Sequence, residues 1–225
     1  KYDHSTLLGF SLTHLSGTGI PDLGDFLFIP GTGKIHFTPG THENPDDGYR
    51  SRYSHEREWA FPNYYAVDLL DYDIKAEMTS GVRSGMLRFT YPESDSAFIL
   101  LDLNHTLYQQ CPWSNIRIEN DSTLTAYKLV QGWGPERHVY LTAVFSRPFE
   151  DFGIMQDTVP VIYNTKRFRS HLEAWGKNLC FWMSFSTLQD EQITVKVAIS
   201  AVSTDGAKLN MQELAGKTFE TLKTE

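Results

Sequence analysis

Cysteine is scarce in this sequence: only Cys111 and Cys180 occur among 225 residues, and they form no Cys-x-x-Cys pair. Two cysteines cannot build a disulfide framework, and without such a pair a zinc ribbon or a thioredoxin-type redox site is excluded. Cys180 lies in the apolar run Leu179–Trp182 and is predicted to be a buried thiol. A free buried thiol is also the simpler expectation for Cys111, and a bridge between the two cysteines is the alternative.

Positively charged residues are also few. The chain has 20 Lys and Arg against 28 Asp and Glu, a formal net charge of −8. Binding to nucleic-acid phosphates needs clustered Lys and Arg, so this balance argues against a nucleic-acid partner. The hydrophobic share of 40% is enough for a packed core and excludes wholesale disorder. The length suits one large all-β domain or two small ones.

Long apolar runs are absent. Runs such as Phe98–Leu101 are far too short to span a bilayer, so no transmembrane helix is predicted. The sequence begins with Lys1 rather than Met, and no charged segment followed by an apolar one comes after it. We therefore expect either that a leader was removed or that the sequence is cut from a longer chain.

Apolar and polar residues alternate with a period of two along most of the chain. Ile193, Val195 and Val197 share one parity, whereas Thr194 and Lys196 share the other. Side chains of a strand point to opposite faces in turn, so such a segment covers a core on one side and meets water on the other. Turn clusters separate many such segments, and no long helices intervene. Residues 1–204 are therefore predicted to form an all-β, two-layer antiparallel β-sandwich.

The last segment, residues 205–225, has a helical pattern instead. Asp205 is a plausible N-cap, Leu209 and Leu214 have helical spacing, and Gly216 is expected to interrupt the helix before Phe219 and Leu222. One interpretation is a short helical linker toward a neighbouring domain. The other is a C-terminal helix that docks on the same sandwich.

The sequence contains only incomplete versions of several catalytic and binding motifs. Gly17-Thr18-Gly19 has no Gly-Lys-Ser/Thr after it, so it is no phosphate loop, and Trp59 stands where a zincin helix beginning at His55 needs its second histidine. Glu56 and Glu58 on one strand face would hold carboxylates roughly 7 Å apart, a spacing compatible with an inverting glycosidase. The ordinary alternative is a solvated strand on which arginines pair with both.

The segment from His14 to Gly19 is unusual for a core strand, because it combines an imidazole, hydroxyl groups and two glycines. Such a segment can hydrogen-bond a polyhydroxylated ligand, and glycine lets the main chain approach it closely. A simple turn is the alternative. Among the five tryptophans, Trp113 and Trp133 are the loop candidates for stacking on a sugar, whereas Trp182 is expected in the core.

Four collinear segments that together cover nearly the whole chain resemble the N-terminal domain of glycoside hydrolase family 92, the α-mannosidases. The first two are Gly9–Ile20, followed by Asp22–Asp25 and Pro30, and Tyr53–Glu58, followed by Pro62, Tyr64, Tyr65, Val67 and Ala76–Thr79. The others are Arg88–Pro92 and the stretch from Gly132-Trp133 through Arg137–Tyr140 to Phe145–Phe149. No single motif is specific, but their combination is.

The resemblance implies a galactose mutarotase-like super-sandwich that continues through linker helices into an (α/α)₆ barrel. Members of the family are calcium-dependent exo-α-mannosidases that invert the anomeric centre. Their general acid, general base and calcium ligands are carried by the barrel, so the resemblance implies no catalytic residue and no metal ligand in this chain. It also removes Glu56 and Glu58 as a catalytic pair, and it implies that the chain alone is inactive.

The resemblance further implies which residues face the domain interface and help to shape the sugar site. These are His14, Ser16, Gly17, Thr18, Gly19, His55 and Glu56. The expected partners are a mannose-containing glycan, such as an N-glycan being degraded, and the enzyme's own barrel. The expected location is secreted, periplasmic or at the cell surface. Ile20 stands where many members have cysteine, so linkage specificity does not carry over.

Two other functions stay open from the sequence. The chain could be a non-catalytic carbohydrate-binding β-sandwich that works alone, for which the loop tryptophans are the support. It could also be a purely structural scaffold, whose exposed apolar surface serves only to dock the barrel.

Overall fold

The structure is a computed structural model that describes residues 5–13, 22–161 and 172–225. Strands dominate this part of the chain, because alternating apolar residues give each strand one face that must be buried. In the described residues the strands form three antiparallel sheets. In chain order they are β1 (Thr6–Leu7), β2 (Leu27–Thr32), β3 (Ser51–Arg52), β4 (Glu58–Phe61), β5 (Tyr64–Leu69), β6 (Ile74–Ser80), β7 (Ser84–Tyr91), β8 (Ser94–Asp102), β9 (Gln110–Ile118), β10 (Thr123–Gln131), β11 (Arg137–Phe145), β12 (Asp151–Gln156), β13 (Val159–Pro160), β14 (Glu173–Gly176), β15 (Leu179–Thr187) and β16 (Glu191–Ser200).

The larger sheet has nine strands in the order β14-β9-β10-β11-β16-β7-β6-β5-β4. Most neighbours follow one another along the chain, but β16 lies between β11 and β7. Its register pairs Ala143 with Val197 on one side and Leu87 with Val195 on the other. The last strand of the sandwich therefore joins the two halves of this sheet.

The smaller sheet has five strands in the order β13-β12-β15-β8-β2, and it packs face to face with the larger one. One core cluster draws side chains from both sheets, as a two-layer sandwich requires. The larger sheet contributes Phe89, Leu141 and Val195, and the smaller contributes Leu101 and Phe181, all buried. A two-stranded sheet of β1 and β3 completes the fold.

The second face of the smaller sheet is buried as well. Ile29, Phe98 and Leu100 form a separate cluster with Tyr49, and the partly buried Ile35 and Phe37 pack against it. The Tyr49 hydroxyl donates a hydrogen bond to Asp102 Oδ2 at 2.8 Å. The long connection between β2 and β3 therefore covers this sheet from outside.

The predicted all-β sandwich is confirmed, with antiparallel strands in two layers. A short turn joins β5 and β6, and Asp73 in this turn has a positive φ of 53°. Both cysteines are buried and free, so the alternative of a Cys111–Cys180 bridge is wrong. The Cys180 thiol lies 3.6 Å from Asp102 Oδ1.

The C-terminal segment forms α1 (Thr204–Asn210), a 3₁₀ turn (Met211–Leu214) and α2 (Phe219–Lys223). The N-cap of α1 is Ser203, whose hydroxyl accepts the Gly206 N–H at 2.9 Å, so the expected cap at Asp205 is wrong by two residues. Gly216 separates the two helices with a φ of 69°. In the described residues, no helix is long and apolar enough to cross a membrane.

This segment packs on the outer face of the larger sheet. Leu214, Phe219 and Leu222 are buried against Met86 of β7, and the Arg88 guanidinium lies 4.0 Å from the centre of the Phe219 ring. The docked arrangement considered for the tail is therefore present in the structure. The domain boundary after residue 204 stays a prediction.

Glu213 fixes this segment to the β6–β7 hairpin. Its carboxylate accepts hydrogen bonds from the Val82 N–H at 2.8 Å, the Arg83 N–H at 3.2 Å and the Ser84 hydroxyl at 2.6 Å. The Ser84 and Val82 bonds favour the charged form and lower the pKa of Glu213 below its ordinary value. One side chain thus satisfies three donors of a tight turn.

Replacing Glu213 by glutamine is expected to lower the free energy of unfolding by about 1–2 kcal/mol at pH 7, since these bonds end on a charged acceptor. The folded-state pKa is depressed, so the stabilisation is present above the ordinary value of 4.5 and is lost as pH falls through the folded pKa. Urea unfolding of both proteins at pH 7 and in steps below pH ~4.5 measures this. A difference that stays constant over this range would contradict the assignment.

Candidate functional site

A buried ion network occupies one end of the sandwich, where β10 ends and β11 begins. The side chain of Asp25 is fully buried, and Arg137 pairs with it through Nη1–Oδ2 at 2.7 Å and Nη2–Oδ1 at 3.2 Å. Lys128 is also fully buried, with its Nζ 4.0 Å from Asp25 Oδ1. The carbonyl of His105 accepts a hydrogen bond from the same Nζ at 2.5 Å. Two cations therefore share one buried carboxylate.

Lys128 occupies a position of β10 that faces the core, in line with Leu124 and Ala126. Burial lowers the pKa of this lysine, while the nearby thiol of Cys111 and the carboxylate of Asp25 oppose the shift. A buried charge is tolerated only when it is paired and hydrogen-bonded. Asp25 is therefore the residue that makes this lysine compatible with the core.

The same network holds the two residues that flank the segment 14–21. Thr13 precedes that segment: its hydroxyl lies 3.2 Å from Asp25 Oδ2 and accepts the Asp25 N–H at 2.7 Å, and its carbonyl accepts the Gly24 N–H at 3.0 Å. Asp22 follows it and lies 3.6 Å from Arg137 Nη2. Both ends of this segment are thus anchored at one place. The predicted site residues His14, Ser16, Gly17, Thr18 and Gly19 lie outside the described residues.

Two pockets open beside Thr13. The first, about 710 Å³, is lined on its apolar side by Leu23, Val139, Ile199 and Leu209, with Arg137 at its polar side. The second, about 590 Å³, lies against Phe10, Leu27, Leu107, His105 and Tyr65. Thr13 borders both of these concave surfaces, and the loop that begins at Asp22 contributes Leu23 and Asp25 to the first and Gly24 to the second.

The predicted pair Glu56 and Glu58 does not share a strand face. His55–Arg57 forms a single 3₁₀ turn, capped by the Ser54 hydroxyl, which accepts the Glu56 N–H at 3.3 Å. Glu56 lies on this turn and is exposed, whereas Glu58 begins β4. The strand expected through these residues is wrong, because the Ser54 cap starts a turn there instead.

Glu58 connects the predicted residue His55 to the second pocket. Its Oε2 lies 2.5 Å from His55 Nδ1, and its Oε1 accepts a hydrogen bond from the Tyr65 hydroxyl at 2.7 Å. Tyr65 lines the 590 Å³ pocket, and burial together with the bond to Glu58 raises its pKa. The ring of His55 also meets Tyr53 edge-on, with centroids 5.2 Å apart. His55 is thereby brought to the end of the sandwich that carries Thr13, while Glu56 makes no described side-chain bond to this group.

Sequence reasoning missed Asp25, Arg137, Lys128 and Tyr65, and it gave Glu58 a different role, as half of a carboxylate pair with Glu56. One of them carried a signal: Lys128 interrupts the apolar parity of β10, and a lysine at a core position implies a buried carboxylate partner. The partner itself is 103 residues away along the chain and could not be assigned.

The described residues contain no group of three or more His, Cys, Asp or Glu that could hold a metal ion. Asp25 at this end already pairs with Arg137 and Lys128. Glu58 already contacts His55 and Tyr65. The described part of the chain therefore offers no set of ligands that fits calcium.

A sequence profile described as the glycosyl hydrolase family 92 N-terminal domain matches residues 1–200. The chain belongs to glycosyl hydrolase family 92. Among solved structures, a family 92 α-mannosidase of Bacteroides thetaiotaomicron is 70% identical over the whole of this chain, with a TM-score of 0.96. The same enzyme is also known in complex with mannoimidazole, at the same identity and TM-score. A comparison with curated proteins gives no match.

More distant structures share the fold of this family 92 domain. A family 92 glycosyl hydrolase at 23% identity covers 98% of the chain with a TM-score of 0.80, and an inverting mannosidase of B. thetaiotaomicron at 18% identity covers 88% with a TM-score of 0.70. The chain spans only 30% of the length of the 70% identical α-mannosidase. It spans 29% of the family 92 glycosyl hydrolase and 25% of the inverting mannosidase. The resemblance inferred from four sequence segments is confirmed.

Proposed function

We propose that this chain is the N-terminal sandwich of an exo-α-mannosidase that removes mannose from mannose-containing glycans. The single observation that supports this most is the 70% identity, over the whole chain, to a family 92 α-mannosidase. The same enzyme is also known bound to mannoimidazole, a mannose-like ligand, which supports mannose as the sugar. A secreted, periplasmic or cell-surface location belongs to the same proposal.

Within this enzyme, we assign the end of the sandwich around Thr13 to one wall of the sugar cleft. Asp25 bonds to Thr13 and Arg137 pairs with Asp22, the two residues that flank the segment containing His14, Ser16, Gly17, Thr18 and Gly19. Two pockets open beside Thr13. His55 reaches the same end through Glu58 and Tyr65. Hydroxyl, imidazole and backbone groups suit the recognition of a neutral sugar. Glu56, exposed beside His55, completes the proposed set.

The chemistry itself is assigned to the part of the enzyme beyond this chain. In direct displacement, one carboxylic acid protonates the leaving oxygen while a second carboxylate activates a water on the opposite face of the sugar, which inverts the anomeric centre. Calcium bound by that part would assist the reaction by holding the sugar. The residues of this chain bind and orient the sugar and exclude water.

A chimera tests this proposal. The 225-residue chain is joined to the rest of the B. thetaiotaomicron α-mannosidase, of which it spans 30%, and is assayed with an aryl α-mannoside in the presence of calcium. We expect turnover by the chimera and none by the chain alone. Because the cleft wall binds rather than reacts, Thr18→Ala and His55→Ala in the chimera should raise KM about 10-fold or more.

Thr41→Ala is the matched control, since Thr41 is exposed on the connection between β2 and β3. Its KM should equal that of the unchanged chimera. An inactive but folded chimera, or turnover by the isolated chain, would refute the assignment. Unchanged KM in both cleft variants would refute the role of this end of the sandwich while leaving the enzyme class intact.

A further inference from the structure

The outer face of the larger sheet carries a cluster of aromatic side chains on strands β14, β9, β10 and β11. On these strands Ala174, Ile116, Ala126 and Leu141 point into the core. Their neighbours of opposite parity therefore point outward. We call this group the aromatic face; it consists of Trp113, Tyr127, His138, Tyr140 and Trp175.

The strand register arranges these side chains in two rows. Trp175 pairs with Asn115, Asn115 with Tyr127, and Tyr127 with Tyr140, which makes one row across four strands. Trp113 pairs with Leu129 and Leu129 with His138, which makes the second row. Neighbouring strands lie about 4.8 Å apart, so the first row is roughly 14 Å long. That length accommodates more than one pyranose ring.

The rings are ordered relative to one another. Tyr127 stacks on His138 with centroids 5.9 Å apart and 20° between the planes, and its hydroxyl lies 2.9 Å from His138 Nδ1. Tyr140 also lies against Tyr127, with a centroid distance of 5.0 Å. The amide of Asn115 donates to the Ala174 carbonyl at 3.1 Å, which ties β9 to the strand that carries Trp175. The face is thus a rigid surface on regular strands rather than a group of loop side chains.

The tryptophans of this face are open to solvent: Trp113 is 45% exposed and Trp175 is 54% exposed. Helix α1 packs on β16, β11 and β10, and its Lys208 pairs with Glu119 at 3.1 Å. The larger apolar side chains of the C-terminal segment, Leu214, Phe219 and Leu222, are buried elsewhere, against Met86. Exposed apolar clusters of this kind mark binding surfaces.

The chemistry of the face selects the ligand. Its two rows hold no Lys, Arg, Asp or Glu, and a carboxylate, that of Glu173, accepts a hydrogen bond from Asn115 of the first row at 3.2 Å. The absence of Lys and Arg from the rows disfavours nucleic acids. Indole and phenol rings offer apolar faces with polar edges, which match a sugar ring that has apolar C–H faces and hydroxyl groups at its rim. We propose that the aromatic face is a non-catalytic binding site for neutral, mannose-containing oligosaccharides, separate from the cleft at Thr13. The choice of mannose rests on the proposed function.

Titration of the 225-residue chain with α-linked mannotriose, followed by tryptophan fluorescence and calorimetry, tests this inference. We expect saturable binding, weakened at least 10-fold by Trp113→Ala and by Trp175→Ala. Trp59→Ala is the matched control: Trp59 is 39% exposed on β4, at the opposite edge of the same sheet, and its loss should leave the affinity unchanged. Equal urea midpoints would show that all three variants are folded.

Three results would overturn the inference. These are an absence of saturable binding up to ~10 mM sugar, an equal loss in Trp59→Ala, and binding that disappears in an active chimera because another domain covers the face. Its failure is distinguishable from failure of the proposed function. An active chimera with a chain that binds no sugar refutes only this site, whereas an inactive chimera with a chain that binds sugar refutes only the enzyme.

Discussion

Replacing Asp25 by alanine is expected to lower the free energy of unfolding by about 3–5 kcal/mol, a large part of the stability of a single domain. The variant leaves the ammonium of Lys128 fully buried without its carboxylate and removes both hydrogen bonds that Arg137 makes to it. Breaking a buried ion pair from one side costs far more than the pair contributes, because the remaining charge has lost its partner and cannot reach water.

Urea unfolding monitored by circular dichroism and fluorescence measures this loss. Asp46→Ala is the control, since Asp46 pairs with Arg52 at 2.8 Å on the surface, with its side chain 79% exposed. That change should cost far less than Asp25→Ala, because ion pairs exposed to solvent contribute little to stability. If Asp25→Ala were equally mild, the buried network would not organise this end of the sandwich. The double variant Asp25→Ala, Lys128→Met should recover part of the loss, because it also removes the unpaired charge.

Replacing Phe219 by alanine is expected to cost about 3–5 kcal/mol, the usual range for a buried aromatic ring. Phe219 is buried under the Arg88 guanidinium and meets Tyr64 edge-on at 6.5 Å. Its loss opens the contact of α2 with the larger sheet and exposes Met86. Differential scanning calorimetry and urea unfolding would both register the change as one cooperative transition at a lower midpoint.

Leu209→Ala is the matched control for the tail, because Leu209 lies on α1 but is 63% exposed. Its effect should be within about 0.5 kcal/mol. A separate early transition in Phe219→Ala, with the sandwich unaffected, would mean that the tail is a free linker. A small effect of Phe219→Ala would lead to the same conclusion.

The sandwich was predictable because its strands carry their own signal. In β16, Ile193, Val195 and Val197 alternate with Thr194 and Lys196, and this parity states which side faces the core. The family was predictable for a different reason, since four collinear segments rarely match together by chance. The strand order was beyond reach, because nothing local indicates that β16 inserts between β11 and β7.

The candidate site was less accessible from sequence. The sequence indicates His55 as a site residue, but it does not indicate that Glu58 is its partner. A strand would place Glu56 and Glu58 on one face, whereas the Ser54 cap starts a 3₁₀ turn, in which the side chains follow a different period. Asp25 and Arg137 meet across 112 residues, a contact that depends on the completed fold. Side-chain networks of this kind follow from topology, and single-sequence periodicity contains no information about it.

The position of β16 also determines how the molecule can assemble during synthesis on the ribosome. Strands β4 to β7 and strands β9 to β11 leave the exit tunnel early, yet they remain two separate ribbons until residues Glu191–Ser200 emerge and pair with both. Until then the facing edges of β7 and β11 present unpaired backbone groups to any neighbouring chain. The nascent sandwich is therefore open to edge-to-edge aggregation until β16 appears, and slow translation across that stretch would lengthen the exposure.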